Sequence, residues 1–149
     1  MPTPCLWFET EAAEEAAKFY VSLFPNSRIV STSPGPGGSV QTVQFELEGR
    51  PFMGLNGGPY ATFNDAVSFS VDCEDQAEVD RYWAALTEGG KEVQCGWLKD
   101  RYGVSWQIVP KALPRLLSDP DQQKAQRVVA AMMKMVKLDV AALEAAAAG

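Results

Sequence analysis

The sequence contains no histidine at all. That removes the side chain best suited to acid–base work near neutral pH and the commonest ligand of transition metals. Cysteine is scarce and odd in number: Cys5, Cys73 and Cys95 show no C-x-x-C spacing. The pattern argues against a disulfide framework and for a reducing, cytoplasmic setting. Basic residues are outnumbered, 13 Lys and Arg against 19 Asp and Glu, for a net charge of -6. They are also scattered, so nucleic acid is not an expected partner. Met1-Pro2-Thr3-Pro4 carries neither a basic n-region nor an apolar h-region, so no secretory leader is expected. The longest apolar stretch, near Val128–Val136, is broken by Lys134 and is too short to span a bilayer. A soluble protein without a membrane partner is expected.

What is present is an ordinary globular composition. With 149 residues and 46% apolar residues, one domain is expected, burying ~68–70% of its unfolded surface. Two helices declare themselves by the same period. Ala16, Phe19, Tyr20 and Leu23 fall at i, i+3, i+4 and i+7, and Val79, Tyr82, Trp83 and Leu86 repeat that spacing. Thr10 is the expected N-cap of the first, with Pro25-Asn26 as its stop. Asp75 with Glu78 reads as a capping box for the second, which Gly89-Gly90 ends.

The likeness extends beyond the helices. Leu6-Trp7-Phe8 and Phe69-Ser70-Val71 precede them at the same offset of 63 residues. After each helix come strand-like runs. Thr42 to Glu48 alternates, with Val43, Phe45 and Leu47 on one face, and Gly49-Arg50 is the expected turn into Phe52-Met53-Gly54-Leu55. Asp100-Arg101-Tyr102-Gly103 turns the chain into Val104 to Val109, with Val104, Trp106 and Ile108 on one face. Asp100 reads as a turn residue that bonds local amides. Strand, helix and three strands, twice over, is an internal duplication. The fold class expected is therefore α+β, two βαβββ modules at about 4–58 and 65–110, each covering one sheet face with its helix. The other faces are expected to form a curved mixed sheet around a cleft. Residues 1–110 make this domain, and 111–149 a helical extension of it. In the extension, Asp119-Pro120 with Gln122 reads as a helix start. Ala125, Val128, Val129, Met132 and Val136 read as one stripe, and Asp139 as the cap of an alanine-rich last helix stapled by Leu138 and Leu143. Pro34–Gly38 and Asn56-Gly57-Gly58-Pro59 read as connectors.

Several long motifs carry a resemblance. Pro4-Cys5-Leu6-Trp7-Phe8, Glu14-Glu15-Ala16, Phe19-Tyr20 and Leu23-Phe24-Pro25-Asn26-Ser27 resemble the opening of PhnB-like proteins. Phe52 to Gly58 and Gly96 to Pro110 are similar to their middle and end. This family sits in the vicinal-oxygen-chelate superfamily of glyoxalases, bleomycin-resistance proteins and extradiol dioxygenases. Its members often carry the label 3-demethylubiquinone-9 3-methyltransferase. The resemblance implies a glyoxalase-like fold and a homodimer. It also implies a divalent metal held by His and Glu from the first and last strands of each module, and here the sequence departs. Superposing the modules puts Cys5, Trp7, Met53, Leu55, Ser68, Ser70, Ser105 and Gln107 at the cleft-facing positions. Only Gln107 falls where the superfamily's last-strand glutamate would stand. Met, Ser, Cys and an amide are a poor set for a hard metal, so neither a metal nor another cofactor is expected.

The candidate ligand-binding residues are Trp7, Met53, Ser70, Trp97, Ser105 and Gln107. The amide and hydroxyls can orient a polar group, and the indoles can hold a flat or cationic one. The candidates for catalysis are Gln107, Glu46 and Cys95, which stands at the end of a predicted strand with Lys91, Lys99 or Arg101 to lower its pKa. No spacing sets two carboxylates opposite one another. The leading expectation is a metal-free binding protein for a small, partly aromatic or amphipathic molecule. An enzyme of the lyase, isomerase or dioxygenase kind with an unusual site is the alternative. An accessory or regulatory homodimer acting through its surface or C-terminal helices is a third.

Overall fold

Every strand that alternates apolar and polar residues has one face to bury, and in each half of the chain a helix covers it. A computed structural model describes Met1–Gly149 and divides into two compact units, Met1–Phe63 and Asn64–Gly149. The first holds β1 (Cys5–Phe8), α1 (Ala13–Leu23), β2 (Arg28–Pro34), β3 (Val40–Leu47) and β4 (Arg50–Asn56), with sheet order β1-β4-β3-β2. The second holds β5 (Ser68–Cys73), α2 (Gln76–Thr87), β6 (Lys91–Glu92), β7 (Trp97–Lys99) and β8 (Ser105–Pro110), with order β5-β8-β7-β6. In both, the first strand lies parallel to the last and the others pair antiparallel. The fold is thus α+β, with the duplicated βαβββ topology that the sequence pattern implies.

In the first unit Leu6, Phe8, Val43, Phe45, Leu47 and Phe52 face α1 and are buried. Tyr20 packs over Phe45, whose ring stacks on Phe52 at 5.5 Å. The buried stripe of α1 is Ala13, Ala16, Ala17 and Tyr20, while Phe19 and Leu23 are only half-buried. Small residues win the central positions because the helix approaches β4 closely. A side chain at Gly54 would put its Cβ 3.3 Å from that of Ala13. Thr10 does not cap this helix. The Ala13 N–H donates to Oδ1 of Asn56 at 2.9 Å, and Nδ2 of Asn56 donates to the Val40 carbonyl at 3.0 Å. Asn56 can do so because β4 runs beside β1, with Phe8 opposite Asn56. The β3–β4 turn is Glu48-Gly49, both at positive φ (51° and 80°), one residue earlier than the predicted Gly49-Arg50. Two left-handed residues suit the twist of a tight hairpin.

The second unit follows its sequence more closely. Val79, Tyr82, Trp83 and Leu86 are the buried stripe of α2, and Asp75 accepts from the Glu78 N–H at 3.0 Å. Val71, Cys73, Leu98, Trp106 and Ile108 complete the core from the sheet. Asp100, only 3% exposed, ties the β7–β8 turn to that core. Its carboxylate accepts from the N–H groups of Tyr102 (2.9 Å) and Val104 (3.0 Å) and from the Trp106 indole (2.9 Å).

The extension comprises α3 (Ala112–Leu117), which the sequence reading did not anticipate, α4 (Gln122–Met132) and α5 (Val140–Ala148). Leu113, Leu116, Val128, Leu138, Leu143 and Ala147 form their core. Asp121, not Asp119, caps α4, accepting from Gln123 and Lys124. Asp119 instead accepts from the Asp121 N–H and pairs with Lys124. The helix stops at Met132, so Val136 leaves the expected stripe. The carbonyls of Met135 and Val136 accept from the N–H groups of Cys95 and Gly96, each at 2.8 Å. Asp139 caps α5 through Ala142, and Leu138 and Leu143 are both fully buried, as the staple requires. The Gln76 amide donates to the Leu138 carbonyl (3.1 Å) and accepts from the Val140 N–H (2.7 Å), which fastens the extension to α2. No helix is long and apolar enough to cross a membrane.

Replacing Asn56 by alanine removes a helix cap and is expected to lower unfolding free energy by about 1 kcal/mol in urea titration. Asp100→Ala strands buried donors and is expected to cost about 2–3 kcal/mol. A neutral Asn56→Ala would show that α1 does not depend on that bond.

Candidate functional site

The face of the second sheet that turns away from α2 is set by register. Ser68 lies opposite Ser105, Ser105 opposite Lys99, and Lys99 opposite Lys91. The neighbouring row is Ser70, Gln107 and Trp97. Because directly paired residues share a face, hydroxyls, an amide, two ammonium groups and an indole lie together. Four predicted binding residues, Ser70, Trp97, Ser105 and Gln107, are therefore neighbours. The Gln107 amide donates to Ser68 Oγ at 3.0 Å, which fixes its orientation across the two rows. Ser70 is exposed, Trp97 and Gln107 are half-buried, and Ser105 is buried at 1% exposure.

Ser105 is held by a residue that sequence reasoning missed. Its hydroxyl donates to Oδ1 of Asp65 at 2.9 Å, and the Lys99 ammonium lies 3.3 Å from the same oxygen. The Ser105 hydrogen bond first, then Lys99, hold the Asp65 carboxyl below its ordinary pKa. Lys99 was legible as a member of this face, two residues after Trp97 on one strand. Asp65 was not, because it sits in the turn before β5, where side chains follow no period.

The first sheet has its own second face. Cys5 stands opposite Met53 and Met53 opposite Gln44, while Trp7 stands opposite Leu55 and Leu55 opposite Thr42. Trp7 and Met53 are thus brought onto one face, in adjacent rows. The Trp7 indole donates to the Gly58 carbonyl at 2.8 Å, and a Cβ at residue 57 would overlap its ring. Gly57 therefore does more than connect: it leaves the space that the indole fills.

The candidates for catalysis fare differently. Glu46 is gripped by Arg28 in a two-point ion pair, at 3.1 and 3.3 Å. Cys95 is not at a strand end. It sits in the β6–β7 turn at φ 58°, followed by Gly96 at 84°, with its Sγ 3.9 Å from the Met133 thioether. Burial pushes the Cys73 thiol up to about 12, and a smaller rise at Cys5 has the same cause.

A divalent metal of the kind the resemblance implies would need several hard donors. Nowhere do three His, Cys, Asp or Glu side chains come together, and the Gln107 amide is a neutral donor among hydroxyls. The residues at the corresponding positions do not fit such an ion.

Comparisons with known proteins agree on the architecture. A family model described as 3-demethylubiquinone-9 3-methyltransferase matches residues 2–109. The PhnB protein from Bacillus cereus, which bears the same description, is 36% identical. The match covers 73% of this chain and 98% of that one, with a TM-score of 0.68. Protein PA1353 from Pseudomonas aeruginosa is 20% identical over 74% of this chain and 96% of its own, with a TM-score of 0.63. The fosfomycin resistance protein FosX from Listeria monocytogenes is 15% identical over 73% and 91%, with a TM-score of 0.54. At the last two identities the likeness is one of fold. No curated protein matches the sequence.

The thiols offer a check on the core. Cys73 is expected to resist a thiol reagent at pH 8 until denaturant is added, while exposed Cys5 reacts in the folded protein. Since folding raises the Cys73 pKa, its stabilising contribution is whole below the ordinary value of 9.0 and is lost as pH rises toward about 12. Fast labelling of native Cys73 would contradict its burial.

Proposed function

Because the chain belongs to the family described as 3-demethylubiquinone-9 3-methyltransferase, the PhnB-like branch of the glyoxalase fold, we propose that it is a metal-free small-molecule-binding protein. The observation that carries the reading is the row Ser70, Gln107 and Trp97, with Gln107 braced by Ser68. A fixed amide and hydroxyls beside a half-buried indole suit a small ligand that is flat or amphipathic and carries a polar group. In the first unit, taken by itself, Trp7 and Met53 occupy the corresponding face of its own sheet.

The chemistry around the other candidates supports binding over turnover. Glu46 is engaged in an ion pair with Arg28, and the thioether beside Cys95 cannot take up a thiol proton at neutral pH. The methyltransferase wording of the family finds no methyl-donor nucleotide site to support it. Such a site needs a glycine loop between a strand and a helix. The chain enters α1 through Glu9-Thr10-Glu11-Ala12 and α2 through Glu74-Asp75. The protein is further read as a homodimer, supported by the exposed Val129 (40%) and Met133 (61%) on and beside α4.

Native mass spectrometry of protein purified without added metal, read against the denatured mass, tests the whole reading. A dimer carrying no metal is expected. Thermal-shift screening with planar and amphipathic compounds is expected to find ligands that raise the melting temperature through mass action. Gln107→Ala and Trp97→Ala should each weaken such a ligand by about tenfold, the loss of one good contact, while a chelator changes nothing. Stoichiometric divalent metal, or catalytic turnover abolished by Gln107→Ala, would replace the binding reading with an enzyme.

A further inference from the structure

The second face of the sheet formed by β5–β8 carries hydroxyls, an amide, an indole, two lysines and, one row beyond Gln107, the Asp72 carboxylate, while the carboxylate that meets Ser105 and Lys99 comes from outside the sheet. Asp65 lies in the turn before β5, and its side chain is 65% exposed. It nevertheless reaches in to accept from the buried Ser105 hydroxyl and to meet Lys99 at a single oxygen. Lys91 is the direct cross-strand partner of Lys99, and it too acts on the Asp65 carboxyl by charge. Two ammonium groups placed directly opposite repel one another. One carboxylate, in contact with Lys99, against two ammonium groups leaves the row with a net positive charge.

We propose that Lys99 and Ser105, with Lys91 beside them, form an oxyanion seat for the carboxylate or phosphate group of the ligand, which the Asp65 carboxylate fills as a tethered stand-in until that group displaces it. The proposal rests on the binding reading above and adds the chemical class of the ligand: an anionic group at one end, and a flat or apolar body reaching toward Trp97 and Gln107. Row order fixes that orientation. Lys99 and Ser105 lie one row from Trp97 and Gln107, so one small molecule spans both. Displacement is chemically even-handed. One anion replaces another on the same ammonium and hydroxyl donors, so no buried group is left without a partner. Asp65 belongs to a turn, braced by Asn64 through the Ala66 N–H at 2.9 Å, so its withdrawal leaves the strand ladder intact. A tethered competitor holds its site at high effective concentration, which sets a threshold that a weakly binding anion does not cross.

The test uses inorganic phosphate and benzoate as separate probes, titrated at constant ionic strength into the full chain and followed by amide NMR shifts. Asp65→Asn is expected to tighten whichever anion the seat prefers by about tenfold, because the internal competitor is gone. Asp65→Ala should do the same without an amide to hold Ser105. Lys99→Gln placed on the Asp65→Asn background should return the affinity to the level of the unmodified protein. A preference for phosphate or for benzoate then identifies which oxyanion the seat takes. Unchanged anion affinity in both Asp65 variants, or a gain that survives Lys99→Gln, would overturn the proposal. Neutral benzamide separates this from the wider reading. If benzamide binding falls with Gln107→Ala while neither anion responds to the Asp65 changes, the oxyanion seat is refuted and the binding protein stands.

Discussion

The parallel pairing of the first strand of each half with its last is the constraint on which the remaining structure depends. Two parallel strands cannot be joined by a tight turn, so the chain must cross over, and the connection here is a helix followed by two strands in both halves. That pairing puts Cys5 beside Met53 and Trp7 beside Leu55 in one sheet, and Ser68 beside Ser105 and Ser70 beside Gln107 in the other. A slip of one residue would carry every one of these side chains to the helix-covered face. The apolar rows that prevent the slip, Phe69 with Trp106 and Val71 with Ile108, are therefore as necessary to the polar face as the polar residues themselves.

Much of this was legible because both halves repeat the same periods. Alternation of two and of 3.6 residues is local information, and a duplicated pattern states it twice. The α2 region, with its own cap at Asp75, shows the case in which sequence and structure coincide residue by residue. The α1 region shows the limit. Its stripe is rotated toward Ala13 and Ala17 because Gly54 lets the helix sit close to β4, and its cap arrives from Asn56. Neither fact has a local signature. The same holds for the candidate site. The neighbours Ser70, Ser105 and Gln107 follow from aligning the two halves, whereas Asp65 enters from a turn and Cys95 lies in a left-handed turn that a strand pattern cannot signal.

The C-terminal helices bear on the site through its scaffold. The family match ends at residue 109, yet the connector between α4 and α5, with the first residue of α5, grips the second half at two places. Gln76 holds Leu138 and Val140, and the carbonyls of Met135 and Val136 hold the Cys95-Gly96 turn. That turn leads directly into Trp97. Gly96, at φ 84°, suits only glycine, and a Cβ there would be crowded at 3.0 Å from both the Ile108 carbonyl and the Leu138 side chain. The indole on the polar face is thereby steadied from behind by residues nearly forty positions further along the chain.

The bond from Asn56 to the start of α1 also has a consequence for how the protein is made. A chain leaves the ribosome amino end first and folds as it emerges. The first helix is exported long before the residue that caps it, so it waits as an unanchored segment through the synthesis of β2, β3 and β4. The second helix meets no such delay, because Asp75 emerges ahead of it and its cap forms at a separation of three residues. The amino-terminal half, although made first, depends on a contact 43 residues apart to begin its helix. Loop closure over that distance must come before this cap can form. The two halves share one topology, yet one helix is capped by a residue just ahead of it and the other by the far end of its sheet.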